Sequence, residues 1–373
     1  MPSGPTGRPP TIYDVAAHAQ LSIATVSRVL QGTGPVSAKA RARVDQAAQE
    51  LNYVPLRAAR SLAVQRHEAH GLVLPDLAGP FYGDLLMGYE RWAGEHGQSV
   101  ILTVTHGNPE PQRTVRDLAG RVDGIVVHGN ALGLDAIQDL RRAKVPVVLV
   151  AHPPVTGCDS VRTESAASAE RLTTRLLDHG RQDLLFVGDP ASSYDVSERY
   201  AGFAKALRAR ELEVPEPERV PLTEAAGAGL ATKLLAATSG GTGTKARTAT
   251  GSGSGPRRES GRMPDGLVCA NDELALAVVQ TLRDGGVGVP AEVVVTGWDD
   301  VMAARYVSPG LTTVRQPMAE LGRLAASRLH ERVTGERTRA RNDVLPTELV
   351  LRASCGTHPG DGTDSSNRLR RRA

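Results

Sequence analysis

Residues 11–55, TIYDVAAHAQLSIATVSRVLQGTGPVSAKARARVDQAAQELNYVP, leave few folds open. Three short helices are expected, each opened by a hydroxyl side chain that can accept a hydrogen bond from the N–H groups of the first turn. Thr11 precedes Ile12, Val15, Ala16 and Ala19; Ser22 precedes Val26, Val29 and Leu30; Ser37 precedes Ala40, Val44, Ala47, Ala48 and Leu51. In each set the apolar residues fall on one helical face. About three residues separate the first two helices, the spacing of a helix-turn-helix. An α-helix fits the DNA major groove, and the second helix of such a pair is the one that enters it.

Charge separates this reading from a merely structural helical unit. Residues 1–66 hold eight Lys and Arg (Arg8, Arg28, Lys39, Arg41, Arg43, Arg57, Arg60, Arg66) against three acids (Asp14, Asp45, Glu50), a net +5. The whole chain is +3, so the remainder sums to −2. A basic head on a near-neutral body is the electrostatic footprint of nucleic-acid binding.

The motifs TIYDVA (11–16), S-x-ATVSRVL (22–30), VS-x-K-x-R-x-RV (36–44), ELNYVP (50–55) and AARSL (58–62) follow in an order and spacing that resembles the LacI family of bacterial transcription regulators. The resemblance extends to about residue 355. It implies a head that reads double-stranded operator DNA with Thr11, Tyr13, Ser22, Ile23, Ala24, Thr25, Ser27, Arg28, Lys39, Arg41, Tyr53, Arg57, Ala59 and Leu62. Ile23 and Ala24 start the second helix and can meet thymine methyls, whereas Arg28 is the candidate for a polar base contact. Residues 56–70 suit a hinge helix of about two turns, too short to be stable alone in water. The resemblance makes Leu62 an apolar wedge in an opened minor groove. Leu56 departs from the family, which usually has Asn there.

The body alternates candidate strands (71–75, 99–105, 123–129, 145–150, 183–188, 265–270, 292–297) with helical patterns such as 84–97, 164–180, 195–210 and 271–286. The strands are short β-branched runs suited to burial on both faces. Such alternation predicts parallel sheets with right-handed crossovers. The expected fold is therefore a small all-α helix-turn-helix domain (1–55), a hinge helix and linker (56–69), and an α/β bilobed, periplasmic-binding-protein-like domain of two doubly wound parallel sheets (70–356). Residues 237–266, rich in Gly, Ser and Thr, read as a disordered surface loop, and 357–373 as a disordered tail. That tail lacks the leucine heptads of a tetramerising bundle, so a homodimer is expected.

Strand C-terminal ends line the cleft of such a fold. Phe81 and Tyr82 follow the first strand, Asn271 and Asp299 follow later ones, and the resemblance sends Arg199 into the cleft. An arginine fork can grip a carboxylate or vicinal hydroxyls, and a carboxylate at Asp299 can accept from two sugar hydroxyls. Asp272 and Asp300 read as structural neighbours. The loop RVPLTEAAG (219–227) has Leu222 and Thr223 where sugar and purine sensors of the family often place an aromatic ring, leaving Phe81, Tyr82 or Trp298 to compensate.

An enzyme is disfavoured: no GxGxxG follows a strand, and no GxSxG elbow, P-loop or HExxH occurs. Cys158, Cys269 and Cys355 form neither a disulfide framework nor a metal motif, which suits a reducing cytoplasm. The first ten residues have no apolar core of a signal peptide, and no stretch is suited to a membrane. The expectation is a cytoplasmic, nucleoid-associated repressor without cofactor or metal, acting as a homodimer on a near-palindromic operator. Its effector is expected to be a small metabolite, by family frequency a sugar, with a purine or other co-repressor as the alternative.

Overall fold

The computed structural model describes residues 8–32, 34–54, 66–239 and 262–356. The chain divides into two compact units, Met1–Ala69 and His70–Ala373. Arg57, Ala59 and Leu62 of the expected hinge, most of the segment at 237–266, and the tail at 357–373 lie outside the described residues.

The first unit holds α1 (Ile12–Ala19), α2 (Ile23–Gln31) and α3 (Ala38–Glu50). Each starts at the expected hydroxyl. Ser22 Oγ accepts from Thr25 N at 3.1 Å and Ser37 Oγ from Ala40 N at 3.3 Å. At Thr11 the hydroxyl donates instead of accepting: the Asp14 carboxylate takes both the Thr11 N–H and its hydroxyl at 2.7 Å. Gln20 and Gly32 end α1 and α2 in the left-handed region. Val15, Ala16, Ala19, Val26, Val29, Val44 and Ala47 form the buried core, with Ile12, Leu30, Leu51 and Tyr53 at its margin.

In the second unit β1 (Ala69–Leu74), α4 (Tyr82–Glu95), β2 (Ser99–Val104), α5 (Pro111–Ala119), β3 (Gly124–His128), α6 (Leu134–Arg142), β4 (Val147–Val150) and β5 (Asp159–Thr163) build one lobe. The chain crosses to a second lobe of α7 (Ala166–Asp178), β6 (Leu184–Val187), α8 (Tyr194–Arg208), α9 (Glu224–Ser239), β7 (Gly266–Cys269), α10 (Asp272–Asp284), β8 (Val294–Thr296), α11 (Met302–Tyr306) and β9 (Thr313–Arg315). It returns for α12 (Met318–Thr334) and β10 (Asn342–Leu345), then crosses again to β11 (Glu348–Val350). The first sheet runs β10-β5-β4-β3-β1-β2, parallel from β10 through β1. The second runs β6-β7-β8, also parallel, beside an antiparallel β9–β11 pair.

The strands β1, β3, β4, β6 and β7 are buried throughout, as apolar runs between helix layers should be. All seven expected strands are present, with ends shifted by a residue or two. β5, β9, β10 and β11 were not expected. Their sequences, DSVRT, TVR, NDVL and ELV, carry too many polar residues or are too short to show a hydrophobic run. Helix pairs meet through glycine. A Cβ at Gly88 of α4 would sit 1.9 Å from Ala319 O of α12, and one at Gly322 of α12 would sit 2.1 Å from Leu85 O of α4. Gly202 of α8 stands likewise against Ala166 O of α7. The three cysteines are buried and free, and no described helix is long and apolar enough to cross a membrane.

The crossings are laced together. Glu164 N donates to Leu345 O at 2.8 Å, and the Thr347 hydroxyl donates to Glu164 O at 3.0 Å. The Thr163 hydroxyl donates to Gln316 Oε1 at 2.6 Å.

Candidate nucleic-acid interface and ligand cleft

The head presents the start of α2 outward. Ser22, Ile23 and Ala24 are exposed, Ile23 by 44% despite its size, and Arg28 is exposed one turn on. The Ser22 and Thr25 hydroxyls lie 2.8 Å apart and share the helix cap, so part of their hydrogen-bonding capacity is spent locally. Ser27 is half-buried, while Lys39 and Arg41 are exposed on α3. The Thr11 hydroxyl is engaged by Asp14, whereas Tyr13 is 66% exposed. Tyr53 packs on the head core.

In the second unit, residues from both lobes converge. Phe81 and Tyr82, at the start of α4, hold their rings 4.2 Å apart, and His128 at the end of β3 meets the Tyr82 ring edge-on at 5.5 Å. Burial keeps His128 neutral, lowering its pKa to about 4 against the pull of Asp76. Burial, Asp76 and Asp299 together raise the pKa of the Tyr82 hydroxyl, which places a first-lobe phenol near a second-lobe carboxylate. Asn130 Nδ2 donates to Ser192 O at 3.0 Å, joining the lobes at this edge.

From the second lobe comes Arg199, buried on α8. Its NH1 donates to Ala270 O at 2.6 Å, and its guanidinium lies 4.6 Å from the centre of the Trp298 ring. Trp298 is 2% exposed and covered on that face, so it offers no open stacking surface. Burial lowers the Arg199 pKa while Asp299, Asp195 and Asp272 raise it. Asp299 has φ 116 and Asp300 φ 59, a strained pair of left-handed residues of the kind that clusters at functional sites. Burial pushes Asp299 up to about 6, although Arg199 and a 2.6 Å hydrogen bond from Gln316 favour its charged form.

The neighbouring acids hold the frame. Asp300 is gripped by Arg315, Arg305 and Arg352. Asp272 accepts from Val301 N at 2.9 Å and from the Thr313 hydroxyl at 2.7 Å, and burial with Asp299 nearby pushes it up to about 8. Asn271 caps α10 through Leu274 N and donates to Leu222 O at 3.2 Å, so both ends of its amide are engaged. Buried polar atoms without a hydrogen-bond partner include His128 Nδ1, Arg162 Nε, Arg199 Nε and Trp298 Nε1. Among the described residues no cluster of His, Cys, Asp and Glu is placed to hold a metal ion.

This combination has known counterparts. Residues 11–55 match the bacterial regulatory proteins of the lacI family, 67–237 the periplasmic binding proteins and sugar binding domain of the LacI family, and 173–355 a periplasmic binding protein-like domain. A solved complex of the transcriptional regulator CelR with cellobiose is 30% identical, with a TM-score of 0.66 over 92% of this chain and 99% of that one. This chain belongs to the LacI family. Its LacI-type head and periplasmic-binding-like body also superpose on the Lac repressor dimer bound to operator and the anti-inducer ONPF, at 26% identity and TM-score 0.78, covering 94% of this chain and 100% of that one. Catabolite control protein A of Staphylococcus aureus (strain MRSA252) is 27% identical over 350 residues, 92% of this chain and 98% of that protein.

Of the expected ligand residues, Tyr82 and Arg199 both interact electrostatically with Asp299, Phe81 packs on Tyr82, and Asn271 serves as the cap of α10. Sequence reasoning missed His128, Arg162, Asp195 and Gln316. His128 ends a strand that was expected, so the rule that strand ends line the cleft was the available signal. Arg162 and Gln316 lie in or just beyond β5 and β9, two strands too polar to be expected.

Proposed function

We propose that this LacI-family regulator is a non-enzymatic, cytoplasmic transcriptional repressor. It binds a near-palindromic operator as a homodimer, each α2 entering one major-groove half-site. Ile23 and Ala24 meet base methyls there, Arg28 makes the polar base contact, and Lys39 and Arg41 meet phosphates. Leu62 is assigned the minor-groove wedge. A small saccharide binds between the lobes, held by Arg199, Asp299, Phe81 and Tyr82 with Asn271 at the edge, and its binding shifts operator affinity.

The carrying observation for the ligand is that Arg162 Nε and Arg199 Nε, beside the acids Asp195 and Asp299, are buried polar atoms without a hydrogen-bond partner. Such atoms are costly unless a partner supplies their hydrogen bonds. A hydroxyl-rich molecule matches them. A purine is less well served, because Leu222 and Thr223 bring no aromatic ring and Trp298 is covered by Arg199. The complex of the similar CelR with cellobiose favours the same class.

The test joins both halves. Operator sites are selected from random duplex DNA with the full chain, and the selected duplex is titrated against mono- and disaccharides. The expected result is a two-fold-symmetric site whose binding one saccharide alters. Selection of no symmetric site overturns the operator reading. A response to purines and to no saccharide overturns the effector reading.

A further inference from the structure

One cleft carboxylate stands outside the residues assigned above. Asp195 lies in the first turn of α8, four residues before Arg199, so the two side chains share a helix face. Facing it from β5 of the other lobe is Arg162, whose guanidinium lies 5.9 Å from the centre of the Tyr194 ring. The Asn130–Ser192 hydrogen bond anchors the loop that leads into this helix.

The balance of donors and acceptors here is specific. Arg162 Nε and Arg199 Nε are buried donors without an acceptor. The Asp195 carboxylate accepts no hydrogen bond from any described residue. It nonetheless interacts electrostatically with Arg199, Arg162 and Glu198, and with Asp299 further along the cleft. Burial raises its pKa and the two arginines lower it. The inner cleft thus sets Arg162 and Arg199 against Asp195 and Asp299. Glu273 adds further acid, its pKa raised by burial and by the nearby Glu224 and Asp76.

A hydroxyl both donates and accepts, so a polyol can serve guanidinium and carboxylate together. A phosphate dianion or an ionised sugar acid brings acceptors alone at its charged end. It would satisfy the arginines, leave Asp195 without a donor, and place like charges together in a low-dielectric space where repulsion is stronger than in water. Resting on the reading that the effector lies in this cleft, we infer that Asp195 is a specificity-determining residue that sets the charge class of the ligand. It admits uncharged, hydroxyl-rich molecules and turns away sugar phosphates and sugar acids. Removing its charge leaves the two arginines in excess and opens the cleft to anions.

The test uses the full chain and its Asp195→Asn and Asp195→Glu variants, each first shown to melt cooperatively. Inorganic phosphate, D-glucuronate, D-glucose and cellobiose are the probes, titrated by calorimetry at fixed ionic strength. Asp195→Asn should bind glucuronate or phosphate at least about tenfold more tightly than the parent, the size expected when one buried like charge is removed. Asp195→Glu should retain the exclusion, and adding Arg162→Gln to Asp195→Asn should abolish the gain. Equal anion affinity in parent and Asp195→Asn, including no binding by either, overturns the inference. If the parent binds neither neutral sugar while Asp195→Asn still gains an anion, the charge filter stands and the saccharide reading fails separately.

Discussion

Arg28 and Arg199 put one side chain to opposite uses. Arg28 is exposed on a basic head and is free to reach a base edge, so Arg28→Ala should cost about 1–3 kcal/mol of specific operator affinity and relax specificity at one position. Competition gel shifts against random duplex check this; unchanged affinity for both DNAs would remove Arg28 from base reading. Arg199 is buried among Asp195, Asp272 and Asp299, and these acids also make the larger unit sensitive to pH. Asp272 is raised from 3.8 to about 8, so the folded chain holds a proton that the unfolded chain releases, and its contribution to stability is lost as pH rises toward 8. His70 and His128 are lowered from 6.5 to about 4, so their contribution runs the other way and is complete above pH 6.5. Stability should therefore peak near neutrality or just below and fall between pH 6.5 and 8, by at most about 1.4 kcal/mol per pH unit for one proton. Asp272→Asn should flatten that falling limb in melts taken across the window. A limb of unchanged slope would assign it to another group.

Elements in this chain are specified by two kinds of information, and only one is local. The head helices were legible because a cap, an apolar stripe and a turn all lie within each short segment; Ser37→Ala should cost the head about 1 kcal/mol through the lost cap. The central strands were legible because burial on both faces demands a continuous apolar run. β5 and β9 were not, since Asp159, Arg162, Thr313 and Arg315 earn their place through partners far along the chain. Asp159 is bound by Arg337 and Arg332, and Thr313 donates to Asp272. The same blindness hid Arg162 and Gln316 from the candidate site. Helix contacts were equally illegible: Gly88 and Gly322 read as weak helix residues until α4 and α12 are seen to touch backbone to backbone. Gly322→Ala should accordingly destabilise the larger unit by about 3 kcal/mol or more, since nothing flexible can yield to the new methyl. Urea unfolding measures the loss, and a variant within about 0.5 kcal/mol of the parent would show that the helices separate cheaply.

Transmission from cleft to operator needs an arrangement that the ligand prefers over its alternative. The lobes exchange chain at three crossings, and Gln316 occupies one of them. Its amide donates to Asp299, the proposed ligand carboxylate, and accepts from Thr163 at another crossing, both at 2.6 Å. A ligand hydroxyl that engaged Asp299, as proposed, would compete with this bond and so make Gln316 a sensor of occupancy at a crossing between the lobes. Linkage then requires symmetry: the factor by which effector changes operator affinity equals the factor by which operator changes effector affinity. Such factors typically run from about 5 to 150. Gln316→Ala should bring both factors toward one together while operator and effector each still bind. Calorimetric titration of the saccharide with and without saturating operator gives one factor, and operator titration with and without saccharide gives the other. Two factors that fall together place Gln316 in the coupling path; two that keep the parent's values remove it from that path.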